Sequence, residues 1–395
     1  MNKAAKQSKW QRVLLGESYR DYSLKDFDWG ILSAVFFLTL IGAVMVASVT
    51  LPITEGNLNM MFSHVMKIII GIFVGFLIFR YPVNLWTKID IHILLITFVL
   101  LLLVYVPNVG QEVNGANRWI RLMGFSFQPS EMMKFSLIIY ISSYCSRRLL
   151  EFKEQWIGFG KPILVIMVAI GLILFEPDLG SSAVIFITAL SIMFIAGAPL
   201  KHLLLIFSLG MSVFVVMILT VPWRMKRILS FMNPWDSFEQ SGWQLSNSLI
   251  SFSRGGWFGE GLGESLQKNY YLPDAQTDFI FAIIAEELGL IFCIFLVFLF
   301  SFLIFRCFII GRLARQARHY TGSYIAYGIG VCIALHVFIN IGVSSGMLPT
   351  KGMTLPFISY GGTNLLLMFA LISLILRIKY EVSQEAISNK RIFNA

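Results

Sequence analysis

Ten apolar runs constrain this chain more than any other feature. They lie at about 31–50, 65–79, 91–106, 129–145, 162–175, 182–197, 202–221, 278–305, 322–344 and 355–378. A helix rises about 1.5 Å per residue, so roughly 20 apolar residues cross the hydrocarbon core of a bilayer. In lipid the backbone must satisfy its own polar groups, which favours helices for such runs. Composition agrees: 57% of residues are hydrophobic and 13% charged, whereas a soluble domain carries about 25% charged residues. The expected fold is an all-α polytopic membrane protein with about ten transmembrane helices. The fifth and sixth runs are short and are joined by Glu176-Pro-Asp-Leu-Gly180, where Pro and Gly mark a tight turn.

The distribution of Lys and Arg orients the spans. With both termini cytoplasmic, the inner segments hold 21 of the 31 Lys and Arg, the outer loops hold eight, and Lys67 and Lys134 lie within spans. The inverted topology would place Arg306, Arg312, Arg315 and Arg318 outside, and is rejected. The expected organisation is a cytoplasmic segment over 1–28, a membrane domain over 29–380 and a cytoplasmic tail over 381–395. A large extracytoplasmic loop at about 222–277 separates the seventh and eighth helices, and the 107–128 and 345–354 loops also face outward. The first run begins too late and runs too long for a signal-peptide core, so it reads as a retained span. The Trp10–Leu15 stretch reads either as lying along the inner membrane surface or as part of a disordered tail.

The net charge of +9 belongs to the cytoplasmic loops under this topology, and no nucleic-acid partner is implied. Four cysteines in or beside apolar runs, without CxxC pairing, read as packing residues. The five histidines show no ligand spacing, so no metal motif is present.

Several polar groups stand where apolar residues would be cheaper. Pro129 suits a first helical turn, and it places Glu131 and Lys134 at i, i+3 on one face. An ion pair within a span points to a functional site, or else to two charges that neutralise each other and anchor a helix end. Arg118, Trp119 and Arg121 on the preceding loop suit a phosphate-and-sugar ligand, the guanidinium on phosphate and the ring on sugar. An interfacial aromatic belt with snorkelling arginines is the alternative. The long loop adds Arg224, Lys226, Arg227 and Arg254, with Trp235, Trp243 and Trp257. Its Gly255-Gly256 pair and Gly259, Gly261 and Gly263 could bring backbone amides to an anion, or simply serve turns.

That loop ends at Asp278, beside Thr277 and at the mouth of the eighth span. Helix capping accounts for an acid there, but not for Glu286 and Glu287 further in. On a continuous helix Glu286 falls roughly 12 Å deeper than Asp278 and about 80° around the axis, with Glu287 on the face opposite Asp278. Lys134 or Lys67 would be their partners. Asn340, Ser344, Ser345, Lys351 and the Ser359–Asn364 run make the last two spans polar at matching ends, which gives an outward-facing polar cleft.

Taken together these stretches resemble the SEDS family (shape, elongation, division and sporulation), membrane glycosyltransferases that polymerise peptidoglycan from lipid II. The resemblance runs from about Asp28 to Glu381. It is carried by Arg118-Trp-Ile, Gln128-Pro-Ser-Glu-Met-Met-Lys134, Pro177-Asp-Leu-Gly180, Gly259-x-Gly-Leu-Gly263, Thr277-Asp-Phe-Ile-Phe-Ala282, Glu286-Glu-Leu-Gly289 and Ile358-Ser-Tyr-Gly-Gly362. Asn233-Pro-Trp-Asp236, Gln267-Lys268 and Gly346-Met-Leu-Pro-Thr-Lys-Gly-Met-Thr-Leu-Pro356 are similar to the division branch rather than the elongation branch. One departure stands out: the family's usual Pro-Glu-Ala-His-Thr-Asp reads Pro273-Asp-Ala-Gln-Thr-Asp278, and Gln276 does not titrate near neutrality.

The resemblance implies Asp278 as the catalytic base. It implies Arg118, Trp119, Arg121, Glu131, Lys134, Arg254, Glu286 and Lys351 as substrate-binding groups, with the cations offsetting charge on a leaving pyrophosphate. No cofactor is certain; a divalent cation, Mg or Mn, is compatible with such chemistry. The implied partners are lipid II, a class B penicillin-binding protein transpeptidase and other divisome membrane proteins. The implied location is the bacterial inner membrane at the septum. The rival readings are a lipid II flippase, an elongation polymerase and a noncatalytic scaffold. A transporter places its charged site near the bilayer midplane, whereas Asp278, Arg118, Trp119 and Lys351 all map to the outer face.

Overall fold

The structure, a computed structural model, describes residues 27–393 except 54–55, 108, 114–115, 123–124, 155 and 239–240. The surface-helix reading of Trp10–Leu15 lies outside the described residues.

The helices α1 (Trp29–Ile53), α2 (Asn59–Arg80), α3 (Val83–Lys88) and α4 (Asp90–Leu103) come first. A small antiparallel sheet follows, formed by β1 (Gly110–Val113), β2 (Ala116–Leu122) and β3 (Phe125–Phe127) in that order. Then come α5 (Pro129–Arg147), α6 (Leu149–Glu154), α7 (Trp156–Phe175), α8 (Leu179–Ile195), α9 (Leu200–Leu219), α10 (Pro222–Met232) and α11 (Trp243–Gly255). The chain finishes with α12 (Ile280–Gln316), α13 (Tyr320–Ser344) and α14 (Thr363–Phe393). A helix thus occupies each of the ten apolar runs. Six of them, α1, α2, α7, α9, α12 and α13, are long and apolar enough to cross a membrane, while α4 and α8 are shorter apolar helices. The protein is a polytopic helical membrane protein.

Burial explains which helix tolerates polar residues. On α9 only Leu203 is buried, so its apolar surface faces outward over most of its length. On α5 nearly every side chain from Pro129 to Cys145 is buried, and it carries Ser130, Glu131, Lys134, Ser136, Ser142 and Ser143. A polar helix is stable in such a bundle only where other helices, not lipid, surround it. Its central place follows from that requirement. Small residues let other helices approach: a Cβ on Gly71 or Gly75 of α2 would sit 2.4 Å from the Phe369 ring or 2.5 Å from the Ser373 hydroxyl of α14.

Three features differ from the sequence reading. The sheet is an addition to the all-helical expectation. The long 222–277 loop is partly helical, because α10 and α11 form within it. The last helix begins at Thr363, not near 355, so residues 355–362 are free to form a loop.

The connections α1–α2, α4–β1, α7–α8, α9–α12 and α13–α14 converge at one end of the bundle. Tyr360 N–H donates to Gln276 O (2.9 Å), Gln128 N–H to the Thr363 hydroxyl (3.0 Å), and Arg118 to the carbonyls of Glu176 and Pro177 (2.8 Å each). The opposite end carries the ion pairs Arg306–Asp28 (2.5 Å), Arg147–Asp90 (2.7 Å) and Arg377–Glu381 (2.7 Å).

Candidate active site

Asp278 precedes α12 instead of lying on it. The residue at the helix mouth is Phe279, with no side-chain cap, and the Thr277 hydroxyl donates to Asp274 O (3.2 Å). Capping therefore does not explain the acid. A turn holds it: the N–H groups of Thr277 and Asp278 both donate to Asp274 O at 3.0 Å, with Asp274 in the left-handed region (φ 54°), a conformation that Asp tolerates. Asn340 on α13 donates to the carbonyls of Asp278 (2.9 Å) and Met353 (2.6 Å), clamping two loops together. Gly352 then lies against the carboxylate, since a Cβ there would stand 2.7 Å from Oδ2.

The clamp fixes the backbone and leaves the carboxylate free. Among the described residues no hydrogen bond or ion pair reaches the partly exposed Asp278 side chain. Burial and the nearby Asp274 push its carboxyl up to about 7, against the pull of Lys351, Arg227 and Arg118. A base poised near neutrality can accept a proton there.

The cations around it are fixed by other groups. The Lys351 ammonium lies 3.4 Å from Asp178 Oδ1. Burial alone would push Asp178 up, but Lys351, Arg118 and the Ser181 hydrogen bonds hold it well below the usual carboxylate range. Asp178 also caps α8 by accepting the Ser181 N–H (3.1 Å). Arg118 projects from the buried face of β2, and its Nε and Nη2 bind the 176–177 turn. Trp119 and Arg121 alternate away from Arg118 along the strand, and Arg121 is exposed. The sequence reading treated these three as one cluster; the pleat divides them. Glu176 is fully buried, and among the described residues neither carboxyl oxygen is hydrogen-bonded. Burial, then Asp178, pushes it up to about 8 against Arg118, so it is mostly neutral at pH 7.

Glu131 and Lys134 do pair, at 2.7 Å, but deep among the helices. The Lys134 ammonium also lies 3.0 Å from His336 Nε2. One turn along α13 from His336 stands Asn340, and His336 is linked through Asn364 (3.5 Å) to the Thr354 hydroxyl (2.6 Å). This buried group therefore supports the 353–354 loop beside Asp278.

The expected Glu286 and Glu287 partners, Lys134 and Lys67, are replaced by groups of the long loop and by Ser48 of α1. Glu286 accepts from Arg254 Nε (3.0 Å), Ser265 (2.5 Å) and Leu266 N–H (3.1 Å). Glu287 accepts from Lys268 (2.7 Å) and Ser48 (2.8 Å). The helix is broken just beyond, at Gly289 (φ 77°), where a Cβ would clash with Gly259 N at 2.4 Å. Loop backbone groups of both kinds fill the break: Leu290 N–H donates to Gly256 O (3.0 Å), while Gly261 N–H donates to Glu287 O (3.0 Å). The loop glycines thus serve close backbone approach to α12. Arg254 and Glu286, paired at 3.0 Å, pin the loop to α12.

The described residues around Asp278 form no all-protein cage for a divalent ion, and one held there would need substrate phosphates as further ligands. Among the described residues no three His, Cys, Asp or Glu side chains converge, and the groups flanking Asp278 are Lys351, Arg227 and Arg118. These cations set positive charge around the carboxylate.

The model of the FtsW/RodA/SpoVE cell cycle protein family matches residues 29–384. The chain belongs to that family. It is 44% identical over 362 residues to a protein of Saccharophagus degradans, covering 91% of this chain and 94% of that one. A Coxiella burnetii relative is 42% identical, with 90% and 96% covered. Each relative is named a probable peptidoglycan glycosyltransferase FtsW. Among solved structures, a chain from a peptidoglycan synthase complex that coordinates polymerization and crosslinking superposes with TM-score 0.75 at 25% identity, covering 91% of this chain and 99% of that one. The rod shape determining protein RodA of Thermus thermophilus shares the fold, with TM-score 0.67 at 24% identity over 89% of this chain and 96% of that one.

Of the family-matched chain's expected residues, the structure brings Arg118, Lys351 and Asp278 together. Trp119 and Arg121 lie on the outer face of β2, Glu131 and Lys134 lie beneath, and Arg254 and Glu286 lie in the loop anchor. Sequence reasoning missed Asp178 and Glu176 as parts of the site, and had Arg227 only among the cations of the long loop. The Glu-Pro-Asp turn was visible, but nothing in its spacing named Lys351, 173 positions after Asp178, as a partner.

Proposed function

We propose that the protein polymerises lipid II into glycan strands by a single inverting displacement, with Asp278 as general base. Peptidoglycan glycosyl transfer is the activity of its family relatives at 40–44% identity. The assignment of roles rests on one observation above the rest. Asp278 is an acid with a fixed backbone, an unpaired carboxylate and neighbouring cations, while Asp178, Glu286 and Glu287 are all committed to partners.

The chemistry needs only one base. The acceptor GlcNAc 4-hydroxyl attacks C1 of the donor sugar, the C1–O bond to pyrophosphate breaks, and the hydroxyl proton passes to Asp278. The lipid pyrophosphate leaves unprotonated, so no second carboxylate acting as an acid is required, unlike in glycosidases. Lys351, Arg118 and Arg227 offset the charge that grows on the leaving group. Asp178 holds Lys351 and the 176–177 carbonyls hold Arg118, so these cations are in place before substrate arrives. Gathering the charged groups at one end of the bundle favours polymerisation over flipping, and that end is the extracytoplasmic one under the charge-derived topology.

The finer assignments follow the same reading: septal synthesis during division, alongside a class B penicillin-binding protein and other divisome membrane proteins. The test is lipid II polymerisation by purified protein, with and without that transpeptidase. Loss of glycan strands in Asp278→Asn, with insertion and partner binding retained, supports the role of the base. Normal strand synthesis by that variant overturns it.

A further inference from the structure

Joining two lipid-linked sugars requires more than one anion site. The donor loses its pyrophosphate, but the acceptor keeps its own, and that second pyrophosphate must also rest at the membrane face. The Arg118–Lys351 group serves the leaving one. A separate group lies across the 358–362 loop from Asp278, on α2.

Lys67 sits there with its ammonium 3.8 Å over the Tyr360 ring. Among the described residues no carboxylate stands within ion-pair distance of it. The Tyr360 hydroxyl reaches the Ser63 hydroxyl at 3.4 Å. Beneath them His64 is 1% exposed, its ring 5.8 Å from Tyr360, and among the described residues neither ring nitrogen has a hydrogen-bond partner. A buried imidazole left without partners is unusual in a finished core. The floor is open: a Cβ on Gly361 would meet only Thr354 at 3.6 Å, and one on Gly362 only Ser126 O at 3.7 Å and Lys67 Cε at 3.9 Å. Tyr360 N–H donates to Gln276 O, two residues before Asp278. Chain geometry keeps Lys67 within roughly 20 Å of Asp278, inside the reach of a disaccharide with its pyrophosphate.

We propose that Lys67, the Tyr360 hydroxyl and the Gly361–Gly362 backbone form a second anion subsite, which takes the pyrophosphate retained by the acceptor lipid. The inference rests on the two-substrate reading above. The ammonium supplies charge and the hydroxyl a donor. The glycines let the phosphate oxygens approach the backbone without a side chain in the way.

The test uses full-length protein in phosphatidylcholine nanodiscs, with undecaprenyl pyrophosphate as the titrated probe. Asp278→Asn protein is expected to bind two equivalents, and the Asp278→Asn, Lys67→Met double variant one. In the otherwise wild-type enzyme, Lys67→Met is expected to raise KM for lipid II about tenfold, as loss of one charge-assisted contact does. It is expected to lower kcat far less, and Lys67→Arg is expected to restore KM. Equal stoichiometry in the two proteins overturns the proposal. Loss of the second equivalent when phosphatidylglycerol replaces part of the phosphatidylcholine also overturns it, because the site would then bind any anionic headgroup. Stoichiometry is read without turnover, so it stands apart from the fate of Asp278 as base.

Discussion

Replacing Asp278 with Asn is expected to make the protein more stable and almost inactive, and the pH dependence ties the two effects to one carboxylate. In the fold its carboxyl titrates at about 7, against an ordinary value of 3.8. A carboxyl raised in this way binds its proton more tightly folded than unfolded. Its contribution is therefore fully present below pH 4 and is lost as pH rises through about 7. The shift corresponds to about 4 kcal/mol at pH 8, and about 2 kcal/mol remains once partial exposure is discounted. Asn keeps the shape without the charge, so its melting curve should part from wild type above pH 4 and level off above pH 7. At pH 8 a Tm higher by about 2–4 °C is expected for purified protein in matched micelles. In the lipid II assay kcat should fall by about 1,000-fold, the scale of a lost general base. Parallel melting curves from pH 4 to 8, or a variant less stable at pH 8, would refute the argument from burial.

Other perturbations test the surroundings. Lys351→Met removes a cation that pulls Asp278 down, so the limb of the pH–kcat/KM profile on which activity rises should move up by about one pH unit; an unmoved profile would place Lys351 outside the field of the base. Gly352→Ala forces a Cβ to within 2.7 Å of Asp278 Oδ2 and should cost about 100-fold in kcat through misplacement, with the melting temperature nearly intact. Glu287→Gln leaves the Lys268 charge buried and should destabilise by about 3 kcal/mol, and a compensating Lys268→Met should recover most of that loss in thermal unfolding.

How legible the molecule was in its sequence depended on the range of each interaction. The ten apolar runs were read from local periodicity and length, and a helix lies on each. Glu131 and Lys134, one turn apart, were paired from helix geometry alone and do pair. Longer-range partners were hidden. Glu286 is bound by Arg254, 32 positions earlier, and Glu287 by Lys268, 19 earlier; no periodicity links a helix to a loop folded back on it. The break at Gly289 hid for a related reason. A glycine within an apolar run reads as a tolerated helical residue, and its positive φ is forced only by the incoming Gly256–Gly261 backbone.

The same distinction explains why the three acids that looked alike in sequence differ in chemistry. Carboxylates near a helix mouth are stabilised by whichever donors the fold brings to them, and a fully satisfied carboxylate is a poor base because its lone pairs are occupied. Glu286 receives a guanidinium, a hydroxyl and a backbone amide, whereas Glu287 receives an ammonium and a hydroxyl. Both therefore act as fasteners that hold the loop to α12. Asp278 is treated in the opposite way. The tertiary contacts from Asn340 seize its carbonyl and those from Gly352 leave room beside its carboxylate. The cations that could have bonded it are instead held by Asp178 and the 176–177 carbonyls. Those second contacts keep Lys351 and Arg118 near enough to favour negative charge on an incoming pyrophosphate, yet leave the base unquenched. Cutting the Asp178 tether should therefore let Lys351 collapse onto Asp278 and silence the site without removing any group that touches the reacting atoms.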